Sequence, residues 1–265
     1  MVLRQTYAQE EIHSHWEGVY RGHPILNLFN NRVIDRILKH LNPPCNALFL
    51  DAGCGTGDHS LRIAARGYRC VGVDLSDAVL KTASKDAALR GLASRTSFVC
   101  QALEDLAFGD DTFDAIYCRG VLMHIPQWEK ALASLCRVLK PGGRIAILEG
   151  NHKSLEMAIV LLIRKIQARS SKMIKTKAGF EFWSEENGQP FVVRIANIQR
   201  LTSELEANRT RVLKTLAHEF WDINRFPAGA LRNAVMRCNY LYFLFGLPRF
   251  GCIGNAIIAE KQTAS

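Results

Sequence analysis

The sequence contains no CxxC pair. Its eight cysteines, at 45, 54, 70, 100, 118, 136, 238 and 252, have no spacing that suits zinc, so no metal site is expected. Several fall inside apolar runs such as "AIYC" and "SFVC", where a reduced cysteine behaves as a small hydrophobe. No stretch approaches the roughly 20 apolar residues that span a bilayer, and "MVLRQTYAQEEIHSHW" has no signal core. These absences predict a reducing, cytoplasmic compartment. Internal repeats and low-complexity segments are also missing.

What is present is a core-forming composition, 48% apolar over 265 residues, enough for one large α/β domain with an insertion. Charge is unevenly placed. Residues 1–150 carry 17 basic and 16 acidic side chains, whereas 151–265 carry 17 and 9. Almost all of the net +9 therefore lies in the second part, which must face something that the first does not.

From 46 to 149 strand-like runs alternate with helical patterns. "ALFLDAG" predicts a strand and "DHSLRIAARG" a helix closed by Gly67. "RCVGVDLS" is a second strand, followed by a helix with Ser76 as N-cap. "TSFVCQA" and "FDAIYCRG" are strands three and four, and "QWEKALASLCRVL" is a helix stopped by "KPGG" before the strand "RIAILEG". Such alternation implies a doubly wound, Rossmann-like parallel sheet covered on both faces. Beyond 150 the pattern reads as a basic amphipathic helix or helix pair over 151–178, a further helix in "VVRIANIQRLTSELEANR" and a strand in "RVLKTLAHEF". An apolar helix and a closing strand, "NAIIAEK", complete the chain.

The chemistry is concentrated in "LFLDAGCGTGDHS". Gly53, Gly55 and Gly57 follow a strand that ends in Asp51, but the position three after Gly55 is Asp58. A dinucleotide turn needs glycine there, and an acid at that mouth repels a pyrophosphate. A ligand without phosphates fits better. S-adenosylmethionine brings a sulfonium cation, an amino group and free ribose hydroxyls. Glycines allow close backbone approach to its amino-acid end, Asp51 supplies negative charge, and Asp74 can accept from both ribose hydroxyls.

"LDAGCGTG", "VGVDLSDAVL", "LEDLAFGDDTFDAIYCRGVLMHI" and "RVLKPGGRIAILE", in this order, resemble the class I S-adenosylmethionine-dependent methyltransferases of small-molecule type. The resemblance covers about residues 46–150. It implies a seven-stranded sheet with an antiparallel last strand and S-adenosyl-L-methionine over the carboxyl ends of strands one and four. It further implies Asp74 on the ribose, the Gly53–Cys54–Gly55 backbone at the methionine end and Leu75 against the adenine. Cys118 and Arg119 would lie beside the amino group. Where relatives often carry an acid to hold the adenine, this chain has Ala102, which leaves the Leu103 amide, apolar stacking or Glu104 for that contact. "HSHWEGVYRGHP" resembles the N-terminal helix that covers the cofactor in relatives, so Trp16 and Tyr20 are expected to close the site on the substrate side.

Methyl transfer needs alignment and exclusion of water more than a catalytic triad, and none is evident. His124, after the fourth strand, is the candidate proton acceptor for a hydroxyl or amine, against the plainer role of a hydrogen-bonded structural histidine. The expected organisation is a cap over 1–45, a cofactor-binding core over 46–150, and substrate-side helices with two closing strands over 151–265. The expected activity is O-methylation of a small or lipid-like biosynthetic intermediate. Residues 151–178, with seven basic side chains against Glu156, are either a solvated face or a contact with an anionic membrane or amphiphilic acceptor. A non-catalytic cofactor-binding regulatory or assembly subunit is the alternative. RNA methylation is disfavoured, because no N-P-P-Y-like motif follows strand four and the basic stretch is thin in aromatics.

Overall fold

The computed structural model describes residues 23–166, 173–186, 189–247 and 251–263. Its centre is a seven-stranded sheet in the order β3-β2-β1-β4-β5-β10-β9. Here β1 is Leu48–Ala52, β2 Arg69–Asp74, β3 Thr96–Cys100, β4 Phe113–Arg119 and β5 Leu139–Gly150, with β9 at Thr210–Glu219 and β10 at Gly254–Lys261. The first five strands pair in parallel, while β10 runs antiparallel to both β5 and β9. The expected antiparallel last strand is therefore present, placed between its two neighbours.

The strands are apolar because both faces are covered. On one face α4 (Trp128–Val138) buries Trp128, Ala131, Leu132, Leu135 and Val138, an i, i+3, i+4 stripe, and α6 (Ile198–Ala207) adds Leu201 and Leu205. On the other, α1 (Pro24–Leu41) packs Phe29, Val33, Ile37 and Leu41 beside Ile63 of α2 (Asp58–Ala64) and Phe243 of α7 (Ala230–Leu244). Pro24 opens α1, where its missing N–H costs nothing, and left-handed Asn42 closes it by donating to the Leu38 carbonyl. Between β2 and β3, α3 (Asp77–Leu89) packs Val79, Leu80, Ala83 and Ala87 inward. Ser76 stands at its N-cap, but its buried hydroxyl makes no cap bond; the Ser76 amide instead donates to Asp74.

The expectation that fails is the helical reading after 150. A helix, α5 (Leu155–Ile166), does follow β5, but β6 (Met173–Thr176), β7 (Gly179–Glu186) and β8 (Gln189–Ala196) form a second, antiparallel sheet. The proposed helix in "VVRIANIQR" is β8 up to Ala196, and α6 starts at Ile198 with Asn197 capping the Arg200 amide. The physical reason is cross-strand pairing of alternate residues, Phe180 with Ile195 and Phe182 with Val193, which a 3.6-residue reading of the same β-branched run conceals. Gly179, at φ +135°, permits the turn, since a Cβ there would stand 2.0 Å from the Ile195 carbonyl oxygen.

Candidate functional site

Strand order reverses between β1 and β4: from β1 the chain builds outward to β2 and β3, then returns to β4 on the other side. In open α/β sheets, ligands bind beyond the carboxyl ends of the strands at such a switch point. Two connections face each other there, the glycine turn after β1 and the Leu122–His124 turn after β4.

The glycine turn is held open by conformation and contact. Gly53, Gly55 and Gly57 all have positive φ, which other residues adopt at a cost. A Cβ on Gly53 would lie 2.4 Å from Val121 Cγ2, so the two connections touch at this point; a Cβ on Gly55 would meet nothing within 4 Å. The Gly53 and Cys54 amides donate to the Val73 carbonyl. The Gly55 amide donates to Asp74 Oδ2 at 2.9 Å, while Asp74 Oδ1 accepts from Ser76 at 3.1 Å. The acid that ends β2 is thus brought onto the glycine turn, and each oxygen retains a lone pair for a further donor. Beneath them Asp51 is buried and accepts from the Ser60 hydroxyl at 2.5 Å. Burial pushes its carboxyl up to about 7, with Asp58 and Asp74 adding repulsion. A cation placed above this acid cluster would relieve that repulsion.

Leu75 is half-buried beside Asp74, and the backbone of Ala102 and Leu103 leads into a short 3₁₀ turn over Leu103–Asp105 whose Leu103 side chain enters the core. Cys118 is buried in β4, facing α4. One residue on, Arg119 faces the α1 side. Its guanidinium donates to Asn30 Oδ1 at 2.9 Å and Glu219 Oε1 at 2.8 Å, and lies 3.2 Å from His59 Nε2. His59 is half-buried; desolvation, then Arg119, drives its pKa down to about 3, and His218 beside Glu219 is lowered by burial too. Both histidines are therefore neutral. Glu219 is raised by burial, which the Arg119 pair offsets.

His124 does not stand alone at the cleft mouth. Its Nδ1 lies 3.0 Å from the Val192 carbonyl of β8, and its ring packs on Phe191 at 5.4 Å. Because a carbonyl only accepts, Nδ1 carries the proton and the acceptor lone pair of the neutral ring is at Nε2. The turn bearing His124 is held from both sides. Glu149, at the end of β5, accepts from the Val121 and Leu122 amides at 3.2 and 3.0 Å. Arg194 of β8 donates to the Leu122 and Ile125 carbonyls and is itself paired with Glu181. Burial raises Glu149 to about 7.

The glycine turn, Asp74, the Ala102 connection, Arg119 and His124 thus lie at the carboxyl ends of the strands. Trp16 and Tyr20 lie outside the described residues. Sequence reasoning missed Glu149, Arg194, Glu219 and His59. Glu149 carried a usable signal, an acid ending an apolar strand in "RIAILEG", as Asp51 and Asp74 do. Among the described residues there is no group of acids, histidines and cysteines placed to hold a metal ion, and no helix long and apolar enough to cross a membrane.

Residues 50–147 match a family model described as a methyltransferase domain. Among curated proteins, the chain is 31% identical over 156 residues to a ubiquinone/menaquinone biosynthesis C-methyltransferase, UbiE, of Geotalea daltonii, covering 56% of this chain and 66% of that one. To the UbiE of Idiomarina loihiensis it is 34% identical, over 51% and 57% of the two chains. To the methyltransferase GfsG of Streptomyces halstedii it is 27% identical, over 56% and 53%. The chain thus spans about half to two thirds of the length of the curated relatives it matches. Among solved structures, the fold is shared with a Burkholderia thailandensis 1,6-didemethyltoxoflavin-N1-methyltransferase holding its substrate and S-adenosylhomocysteine, with a TM-score of 0.61 and 18% identity over 99% of this chain and 88% of that one. An S-adenosylmethionine-dependent methyltransferase from Methanosarcina mazei also scores 0.61, at 20% identity over 86% and 98%. The strand order, the glycine turn closed by a second-strand acid and the matched domain together identify this chain as a member of the class I S-adenosylmethionine-dependent methyltransferases.

Proposed function

We propose that the chain transfers a methyl group from S-adenosylmethionine to a hydroxyl of a small or amphiphilic biosynthetic intermediate. The observation that carries this reading is the convergence of Gly55 and Asp74 above the buried Asp51. When bound, S-adenosylmethionine supplies a methyl group already activated by its sulfonium leaving group. The chain's part is to bind, orient and exclude water. The Gly53–Cys54–Gly55 backbone takes the amino-acid end, Asp74 accepts from the ribose hydroxyls, and Leu75 with the Ala102–Leu103 backbone flanks the adenine. Asp74 supplies the negative charge that favours a cationic ligand, Asp58 being paired with Arg62 and Asp51 holding its proton up to about 7. Arg119 holds the wall next to the β4 end through Asn30 and Glu219. Trp16 and Tyr20, in the 1–45 cap, would complete the cover, and residues 151–265 would shape the acceptor side.

His124 is the residue we assign to take the acceptor proton, since an alcohol becomes an adequate nucleophile only as that proton leaves. A second reading, carbon methylation, is favoured by the printed names of the UbiE relatives. It uses the same deprotonation when the hydroxyl lies on a ring whose carbon then attacks. Supplying hydroxylated aromatic acceptors with methyl-labelled S-adenosylmethionine and locating the label by NMR separates the two. Label on oxygen supports the first reading and label on carbon the second. Consumption of S-adenosylmethionine with no labelled acceptor, from any acceptor class offered, contradicts both.

A further inference from the structure

Helix α5 has two apolar sides, and only one is packed. Met157 is fully buried, with Val160 and Leu161 against Phe180 and Ile195 of the small sheet. Leu155, Ile159, Leu162 and Ile163 form a second stripe at i, i+4, i+7 and i+8, and they are 48%, 39%, 59% and 45% exposed. A soluble helix normally gives that side to polar residues.

The charged residues of α5 and its immediate flanks are basic, with one exception. The helix's one acid, Glu156, is turned inward, where it accepts from the Asp222 amide at 2.6 Å and pairs with Arg225. Lys153 precedes the helix, Arg164 and Lys165 end it, and Lys175 and Lys177 follow on and after β6. Glu181, on the adjacent strand, is committed to Arg194, leaving Glu185 as the exposed acid described on β7. Aliphatic side chains bordered by cations, with the acids withdrawn, complement a surface that is apolar in depth and anionic at its face.

We propose that α5 docks this protein on an anionic lipid bilayer, Leu155, Ile159, Leu162 and Ile163 entering the headgroup boundary while the flanking lysines meet the lipid phosphates. Because α5 starts five residues after β5 ends, docking sets the carboxyl-end face of the sheet near the membrane, which suits an amphiphilic acceptor. The docking itself does not depend on methyl transfer.

The test is co-sedimentation of the full chain with phosphatidylcholine vesicles, with and without about 30% phosphatidylglycerol, at low and high salt. The expected result is binding to the anionic vesicles at low salt, at least roughly tenfold weaker on neutral vesicles or at high salt. The paired substitutions Ile159→Ser and Leu162→Ser, both at exposed positions, should abolish sedimentation while leaving the melting temperature and S-adenosylhomocysteine affinity unchanged. Absence of sedimentation, or sedimentation indifferent to lipid charge, overturns the proposal. So does light scattering showing a dimer that the double substitution dissolves while vesicle binding is absent, for the stripe would then be covered by a second copy. A loss of S-adenosylhomocysteine binding in the parent chain would instead strike the methyltransferase reading and leave the docking result standing.

Discussion

Arg194 of β8 and Leu122 of the turn after β4 are 72 residues apart, yet the guanidinium donates to the Leu122 carbonyl at 3.1 Å and, through the same nitrogen, to Ile125 at 3.0 Å. This joins the inserted sheet to the wall of the site. Only a planar, multi-donor cation can serve both carbonyls and Glu181 together.

Replacing Arg194 by methionine should therefore destabilise the protein by about 3–5 kcal/mol, because Glu181 and the two carbonyls lose their partner at a buried position. Lysine, which keeps the charge and loses the fork, should cost about 1–2 kcal/mol. Urea unfolding of both variants measures this. Equal stability of all three proteins would mean that the small sheet does not lean on the turn.

Gly53 and Val121 offer a steric test. Alanine at 53 must tolerate φ +71° and a Cβ 2.4 Å from a Val121 methyl. Gly53→Ala should cost about 2–4 kcal/mol, combining backbone strain with overpacking. Val121→Ala removes both offending methyls, so the double variant should recover the steric share, a coupling of about 1 kcal/mol or more in a double-mutant cycle. Strict additivity would show that the two connections do not touch.

Acid groups buried without enough compensation give a pH signature. Asp51 and Glu149 hold their protons up to about 7 in the fold. The unfolded chain releases them near pH 4, so from 4 to 7 the native state binds more protons, and stability falls as pH rises through that window. Asp51→Asn and Glu149→Gln should each be more stabilising at pH 8 than at pH 4, by roughly 2–4 kcal/mol, in denaturant titrations at the two values. His59 acts at the other end. Its pKa of about 3 means that the unfolded chain alone takes the proton below 6.5, so stability is lost as pH falls from 6.5 toward 3. His59→Gln should flatten that acid limb.

The parallel core was readable because most of its strands are apolar runs ended by an acid or a glycine, and the intervening helices show their stripes. Asp51 and Asp74 could be singled out because carboxylates ending buried strands carry a cost that a ligand can offset. The second sheet was not readable. In "FVVRIAN" a β-branched run fits a strand or a helix, and what decides is the antiparallel pairing of Phe180 with Ile195 and Phe182 with Val193. Nothing local in the sequence marks Arg194, whose carbonyl partners lie 72 and 69 residues earlier. The proposed proton acceptor was half legible: position 124 stood out after the fourth strand, but not its tie to Val192.

The central claim is that the glycine turn and Asp74 hold S-adenosylmethionine. Isothermal calorimetry of the full chain with S-adenosylhomocysteine tests it most directly, read beside Asp74→Ala and NADH. The parent chain should bind S-adenosylhomocysteine saturably and NADH not at all. Affinity should fall at least about tenfold in the variant, since charge-assisted hydrogen bonds are each worth roughly 1.5–3 kcal/mol. Heat from NADH alone, or a variant that binds S-adenosylhomocysteine as tightly as the parent, would contradict it.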